Sequence, residues 1–221
     1  MDTAWYEKRL YPLQDRVLAV ANDVAPAFYL SGGTALSRGY FAHRFSDDID
    51  LFVNDDPQFG LAAQRLIHAL GREPRSTLDV ALREERFVRL VVREQDLELK
   101  VELIDDVPAH IGAIREHPVL GRLDSLQNLL ANKVTAALDR DEPKDLADIW
   151  AACVLGGADL DAAIHDAESK AAGIFAADLA RVLASATVAD HDAVRWRKAP
   201  GTQVFCGDLV RLAERLLRLP R

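Results

Sequence analysis

A glycine turn between a short apolar strand and a helix, followed by a strand bearing two aspartates one residue apart, most limits how this 221-residue chain can fold. Phe28-Tyr-Leu-Ser-Gly-Gly-Thr-Ala-Leu36 reads as a strand from Phe28 to Leu30, a turn at Gly32-Gly33 and a helix from Thr34 to about His43. Arg44-Phe-Ser-Asp-Asp-Ile-Asp-Leu-Phe-Val53 then reads as a second strand whose end carries Asp48 and Asp50. Side chains alternate across an extended chain, so Ile49, Leu51 and Val53 face a core while Asp48 and Asp50 project together on the other side. Two carboxylates about 4 Å apart repel by roughly 4 kcal/mol at an effective dielectric near 20. A cation between them removes that cost. With no Cys or His nearby at ligand spacing, oxygen-only ligation suits Mg²⁺ or Mn²⁺ better than zinc. Taken alone, the acid pair also fits an exposed strand face. The glycines and the helix start add backbone amides and a positive dipole end, which suit a polyphosphate.

Glycine turn, helix and Asp-x-Asp strand in this order resemble the DNA polymerase beta-like nucleotidyltransferase superfamily. The resemblance narrows with Ser31-Gly-Gly-Thr-Ala-Leu36 and His43-Arg-x-Ser46-x-Asp-Ile-Asp-Leu51, which are similar to the AbiEii/AbiGii toxin family, MenT-like toxins included. A later block carries it further: Asn132-Lys133-Val-Thr-Ala-Ala-Leu-x-Arg140, then Pro143-Lys-Asp145-Leu-Ala-Asp148-Ile-Trp150, with Lys144 where the family usually has Arg. Between the blocks, Lys100-Val-Glu102 resembles the short Lys-x-acid strand that carries a third carboxylate. The superfamily usually has Gly-Ser where this chain has Gly32-Gly33, so Thr34 or Ser31 is left to supply the hydroxyl.

The resemblance implies an α/β (α+β) fold: a nucleotidyltransferase lobe with a mixed sheet, packed on a C-terminal helical lobe. The expected division is 1–107 and 108–221, while Gly156-Gly157 is the best candidate boundary by composition. It also implies metal-dependent transfer of a nucleotide from an NTP to an acceptor hydroxyl, with release of pyrophosphate. Asp48, Asp50 and Glu102 are the implied metal ligands, with Glu98 and Asp105 as alternatives to Glu102. Ser31, Gly32, Gly33, Thr34, Arg44 and Lys133 are the implied nucleotide contacts. Lys133 and Asp145 join the catalytic set, while capping and dipole compensation suffice for Asp148. Family members are toxins of toxin–antitoxin systems, and some modify the acceptor end of tRNA. A tRNA acceptor and an antitoxin encoded alongside are therefore the expected partners. A small-molecule or protein acceptor is the alternative, and a catalytically silent nucleotide-binding module is the third.

The rest of the chain bounds this reading. A net charge of −8 counts against a generic nucleic-acid binder. Six arginines between Arg72 and Arg93 give a local positive excess, and Arg195-Trp-Arg-Lys198 could hold phosphates and stack a base, or simply be a solvated helix end. No apolar run reaches membrane-spanning length, the start lacks a signal-peptide pattern, and Cys153 and Cys206 lie far apart. A cytoplasmic location is expected. Periodicity predicts helices over Trp5–Val24, from Asp55-Asp56-Pro57 to Leu70, from about Ser125, and from Asp145 to Leu155. Three more follow, around Asp159–Ala172, Phe175–Ala186 and Val204–Leu219. Phe87–Val92 and Leu97–Ile104 read as a hairpin turned at Glu94-Gln-Asp96, with Glu98, Lys100 and Glu102 on its polar face.

Overall fold

The computed structural model describes residues 3–218, which form two compact units. The first runs through Ala35 and resumes over Ser46–Asp124; the second comprises Leu36–Phe45 and the chain from Ser125 onward.

In the first unit, α1 (Thr3–Trp5) continues through a π-helical stretch, Tyr6–Leu10, into α2 (Tyr11–Val24). Leu10, Leu13, Val17, Leu18 and Ala21 are buried, as the helical period predicts. Seven strands follow in one sheet: β1 (Tyr29–Ser31), β2 (Ile49–Asn54), β3 (Thr77–Arg83), β4 (Phe87–Glu94), β5 (Leu97–Asp106), β6 (Arg115–His117) and β7 (Gly121–Leu123). Their order is β3-β4-β5-β2-β1-β7-β6. The sheet is mixed: β2 with β5 and β1 with β7 run parallel, and the other neighbours run antiparallel. Burial alternates along β2 and β5, so Ile49, Leu51, Val53, Leu99, Val101 and Leu103 enter the core while the charged residues between them face outward.

The β4–β5 hairpin forms where alternation places it, with Gln95 at φ +56 in its turn. Helix α4 (Phe59–Leu70) begins two residues beyond Pro57, because Asp56 first makes a turn in which its Oδ1 accepts the Gln58 N–H at 2.8 Å. Strands β3, β6 and β7 escape the sequence pattern. β3 is exposed along nearly its whole length, and β6 and β7 are three residues each, too short to show a period.

After β1, α3 (Gly32–Thr34) continues as a π-helical stretch over Ala35–Phe41. In the second unit, α5 (Leu126–Asp139) is capped by Ser125, whose side chain accepts the Asn128 N–H at 3.0 Å. Next come α6 (Pro143–Trp150), a π-helical stretch over Ala151–Leu155, α7 (Leu160–Glu168) and α8 (Ala176–Ala184). The last two helices are α9 (Val188–Ala193) and α10 (Thr202–Leu217). The end expected for the final helix, Leu219, lies outside the described residues. The short α9 was not expected; a Thr187–Asp190 capping box starts it. Among the described residues no helix is long and apolar enough to cross a membrane.

Candidate active site

Strand β2 lies between β1 and β5, and their registers place Ser31 opposite Asp50 and Asp50 opposite Glu102. Residues in register on neighbouring strands share a face, so the Asp50 and Glu102 carboxylates stand side by side, opposite in sense to the buried pair Ile49 and Val101. Asp48 sits one residue ahead of β2 rather than within it, so the two aspartates mark the strand's beginning. Lys100 Nζ lies 3.1 Å from Asp48 Oδ2 and 3.4 Å from Glu102 Oε1. Partial burial works to lower the Lys100 pKa, but Asp48 first, then Glu102 and Asp50, hold it above its ordinary value. Arg89 also meets Glu102, with Nε and Nη2 each 2.8 Å from Oε1.

The alternative acids stand elsewhere. Glu98 is in register with Arg93 and accepts its Nε at 3.0 Å, while Asp105 is in register with Val53 and accepts the Asp56 N–H at 3.0 Å. Among the described residues no three Asp, Glu, His or Cys side chains converge closely enough to hold a metal ion. The donor types nevertheless fit a hard divalent cation, and the space between Asp48 and Glu102 already accommodates the Lys100 ammonium at hydrogen-bond distance from one and 3.4 Å from the other.

The glycine turn is built around Asp50. Gly32 has φ +65, and a Cβ placed there would lie 2.1 Å from Asp50 Oδ2. Only glycine meets both conditions. The two hydroxyls flanking the glycines turn inward. Ser31 Oγ donates to Asp124 Oδ2 at 2.7 Å, and Thr34 Oγ1 donates to the Asp48 carbonyl and lies 3.0 Å from Ser46 Oγ. Each hydroxyl carries one proton, so neither is directed outward while these bonds stand.

A second polar cluster lies wholly within the second unit. Lys133 Nζ is 2.6 Å from Asp145 Oδ1 and 2.8 Å from Asp148 Oδ2. Arg44 donates Nε to Asp148 Oδ1 and Nη2 to Oδ2, both at 2.7 Å, and His43 Nε2 lies 2.8 Å from Oδ1. Arg140 Nε donates to Asp145 Oδ2 at 2.8 Å. Asp145 and Asp148 are fully buried. Burial alone would raise both carboxyl pKa values. For Asp148, Arg44 and then Lys133 reverse this and hold it well below the usual range; for Asp145, Lys133 and Arg140 hold it below. The Lys133 pKa is raised, since Asp148 and Asp145 outweigh its desolvation. Asp148 is therefore a buried anchor for three basic side chains, and neither it nor Asp145 caps α6, whose N-cap is Glu142.

Arg44 is bound to this cluster and also bridges Trp196 through the backbone. The Trp196 indole packs edge-on to Trp150 and Phe205 and beside His191, and its Nε1 donates to the His191 carbonyl at 2.8 Å. In Arg195-Trp-Arg-Lys198 the half-buried aromatic ring thus packs within the second unit. Of the arginines between Arg72 and Arg93, Arg86 meets Asp55 at 2.9 Å, Arg89 meets Glu102 at 2.8 Å and Arg93 meets Glu98 at 3.0 Å. Sequence reasoning missed Asp124 and His110. Asp124 looks like any polar residue ahead of a helix, and the three-residue β7 that delivers it carries no periodic signal.

The model of the family described as nucleotidyl transferase AbiEii toxin, type IV TA system, matches residues 16–209. Among solved structures, the chain resembles JHP933 from Helicobacter pylori over 93% of its own length and 89% of the other, with a TM-score of 0.61 and 20% identity. It also resembles MenT4, a nucleotidyltransferase toxin from Mycobacterium tuberculosis H37Rv, over 96% and 84%, with a TM-score of 0.66 and 17% identity. At these identities the structural likeness speaks for the fold. No curated protein matches the sequence significantly.

Proposed function

Because this chain belongs to the nucleotidyltransferase AbiEii toxin family of type IV toxin–antitoxin systems, we propose that it transfers NMP from an NTP to the acceptor end of tRNA, releasing pyrophosphate. The observation that carries this reading is the register of Ser31, Asp50 and Glu102 across three strands, with Gly32 closed against the Asp50 carboxylate. Asp48, Asp50 and Glu102 would hold Mg²⁺ or Mn²⁺, and a bound divalent ion would stabilise the entering and leaving oxygens of an in-line displacement.

The chain's own groups supply the rest. Gly32 and Gly33 offer backbone N–H groups to the β- and γ-phosphates, with Ser31 and Thr34 shaping the turn through their inward hydrogen bonds. Lys133 is the phosphate contact that the family resemblance implies, and Asp145 and Asp148 hold its ammonium within the second unit. Within the second unit Asp145 orients Lys133, and Arg44 braces Asp148. A carboxylate of the acid set takes the acceptor hydroxyl's proton. The acceptor oxygen then bonds to the α-phosphorus as the bond to pyrophosphate breaks. An antitoxin is the expected regulator.

A protein or small-molecule acceptor is the second reading. It is favoured by the pairing of Arg86, Arg89 and Arg93 with neighbouring acids and by the net charge of −8. Incubation with total tRNA, Mg²⁺ and each α-labelled NTP separates the two. Label on intact tRNA but not on tRNA whose 3′ ribose has been oxidised supports the acceptor-end reading. Label on neither, with NTP still bound, moves the assignment to another acceptor.

A further inference from the structure

We propose that Asp124 and His110 are positioning residues that set the nucleotide-binding turn by fixing Ser31, an inference that rests on the nucleotidyltransferase reading above. Ser31 is the last residue of β1 and immediately precedes Gly32. It is held on two sides. Its backbone stands in register with Asp50, and its hydroxyl donates to Asp124 Oδ2 at 2.7 Å.

Asp124 is fully buried and is fixed in turn. Its N–H donates to the Leu30 carbonyl at 2.9 Å, which extends the parallel pairing of β7 with β1 by one residue. His110 Nε2 lies 2.9 Å from Asp124 Oδ1; a carboxylate only accepts, so the imidazole donates. His110 belongs to the irregular stretch 107–114 between β5 and β6, and its ring meets the Tyr29 ring edge-on at 5.3 Å. It also lines a cavity of about 410 Å³ with Tyr29, Asn54 and Arg122. A continuous path therefore runs from that cavity through His110, Asp124 and Ser31 to the turn that closes on Asp50.

The physical content is the direction of one proton. With the Asp124 carboxylate in place, the Ser31 hydroxyl must donate to it. The oxygen then presents only lone pairs to its other neighbours, and the turn meets phosphate through backbone N–H groups alone. An Asn at 124 can instead donate an amide N–H to Ser31 Oγ, which frees the hydroxyl proton to turn toward the nucleotide. Ser31 and position 124 must then be energetically coupled in nucleotide binding.

The test is the Kd of Mg·NTP measured by calorimetry for wild type, Ser31→Ala, Asp124→Asn and the double variant, with thermal melts alongside. Coupling of at least about threefold between the two substitutions is expected. His110→Ala should raise Kd about three- to tenfold with a smaller change in kcat, and His110→Gln, which can still donate to the carboxylate, should restore it. Strictly additive Kd changes in folded variants overturn the inference. Should the Asp124 variants fail to fold, an unchanged Kd in His110→Ala does so. Wild type that binds no nucleotide contradicts the nucleotidyltransferase reading itself, and this inference with it; nucleotide binding that ignores these residues defeats the inference alone.

Discussion

Arg44 grips Asp148 with two prongs, Nε on Oδ1 and Nη2 on Oδ2, each at 2.7 Å, although 104 residues separate them. Both groups are buried. Removing Arg44 takes two charge-assisted hydrogen bonds from buried Asp148, which keeps Lys133 and His43, and costs about 1–3 kcal/mol. Arg44→Ala should therefore lower the unfolding free energy by that order in urea titration. Arg44→Lys should recover only part of it, since a lysine cannot offer a planar fork. Equal stability of wild type and Arg44→Ala would remove Arg44 as the anchor.

The same cluster predicts how stability follows pH. Asp145 and Asp148 have folded pKa values below their ordinary ones, so their contribution is full above the unfolded value of about 3.9 and is lost as pH falls through the folded values. Lys133 has a raised folded pKa, so its share is full below about 10.4 and is lost as pH rises through the folded value. Unfolding free energy should fall at both ends. Asp148→Asn should show a shallower decline than wild type on the acid side, and an identical acid slope would contradict the assignment.

Two glycines at positive φ make a controlled comparison. At Gly157, φ is +66 and an added Cβ meets nothing within 4 Å, so Gly157→Ala carries backbone strain alone, about 1 kcal/mol. At Gly32 the added Cβ also meets the Asp50 carboxylate at 2.1 Å. Gly32→Ala should therefore destabilise more than Gly157→Ala and should depress transfer activity at least about tenfold by displacing Asp50. Melting curves and initial rates on the two variants decide it.

Lys100 predicts a dependence on metal. Its ammonium sits 3.1 Å from Asp48 and 3.4 Å from Glu102, so Lys100→Met leaves those acids to repel one another. The variant should melt below wild type in chelator and gain more than wild type on addition of Mg²⁺. Equal gains would show that no cation is shared by these acids.

What the sequence discloses follows from range and period. Leu97–Ile104 alternates cleanly, so the polar face holding Glu102 is predictable, and the structure sets it in register with Asp50. The inward turn of the Ser31 hydroxyl is hidden, because Asp124 reaches it from 93 residues away, just past a strand too short to announce itself. Asp148 satisfies a capping argument on local sequence and only the fold reveals Arg44 and His43 around it. Trp196 is flanked in sequence by basic residues, and only the fold reveals Trp150, Phe205 and His191 packed against it. Local chemistry is legible where period or motif constrains it, and partners brought from afar are not.

The most direct test of the central claim is transfer of α-labelled NMP to tRNA by wild type and Asp50→Asn, assayed side by side with Mg²⁺ titrated and folding checked by thermal melt. The account predicts Mg²⁺-dependent labelling by wild type and a loss of at least about 100-fold in Asp50→Asn, with the melting temperature unchanged or slightly raised as a like-charge repulsion is relieved. Labelling by Asp50→Asn at the wild-type rate would contradict it.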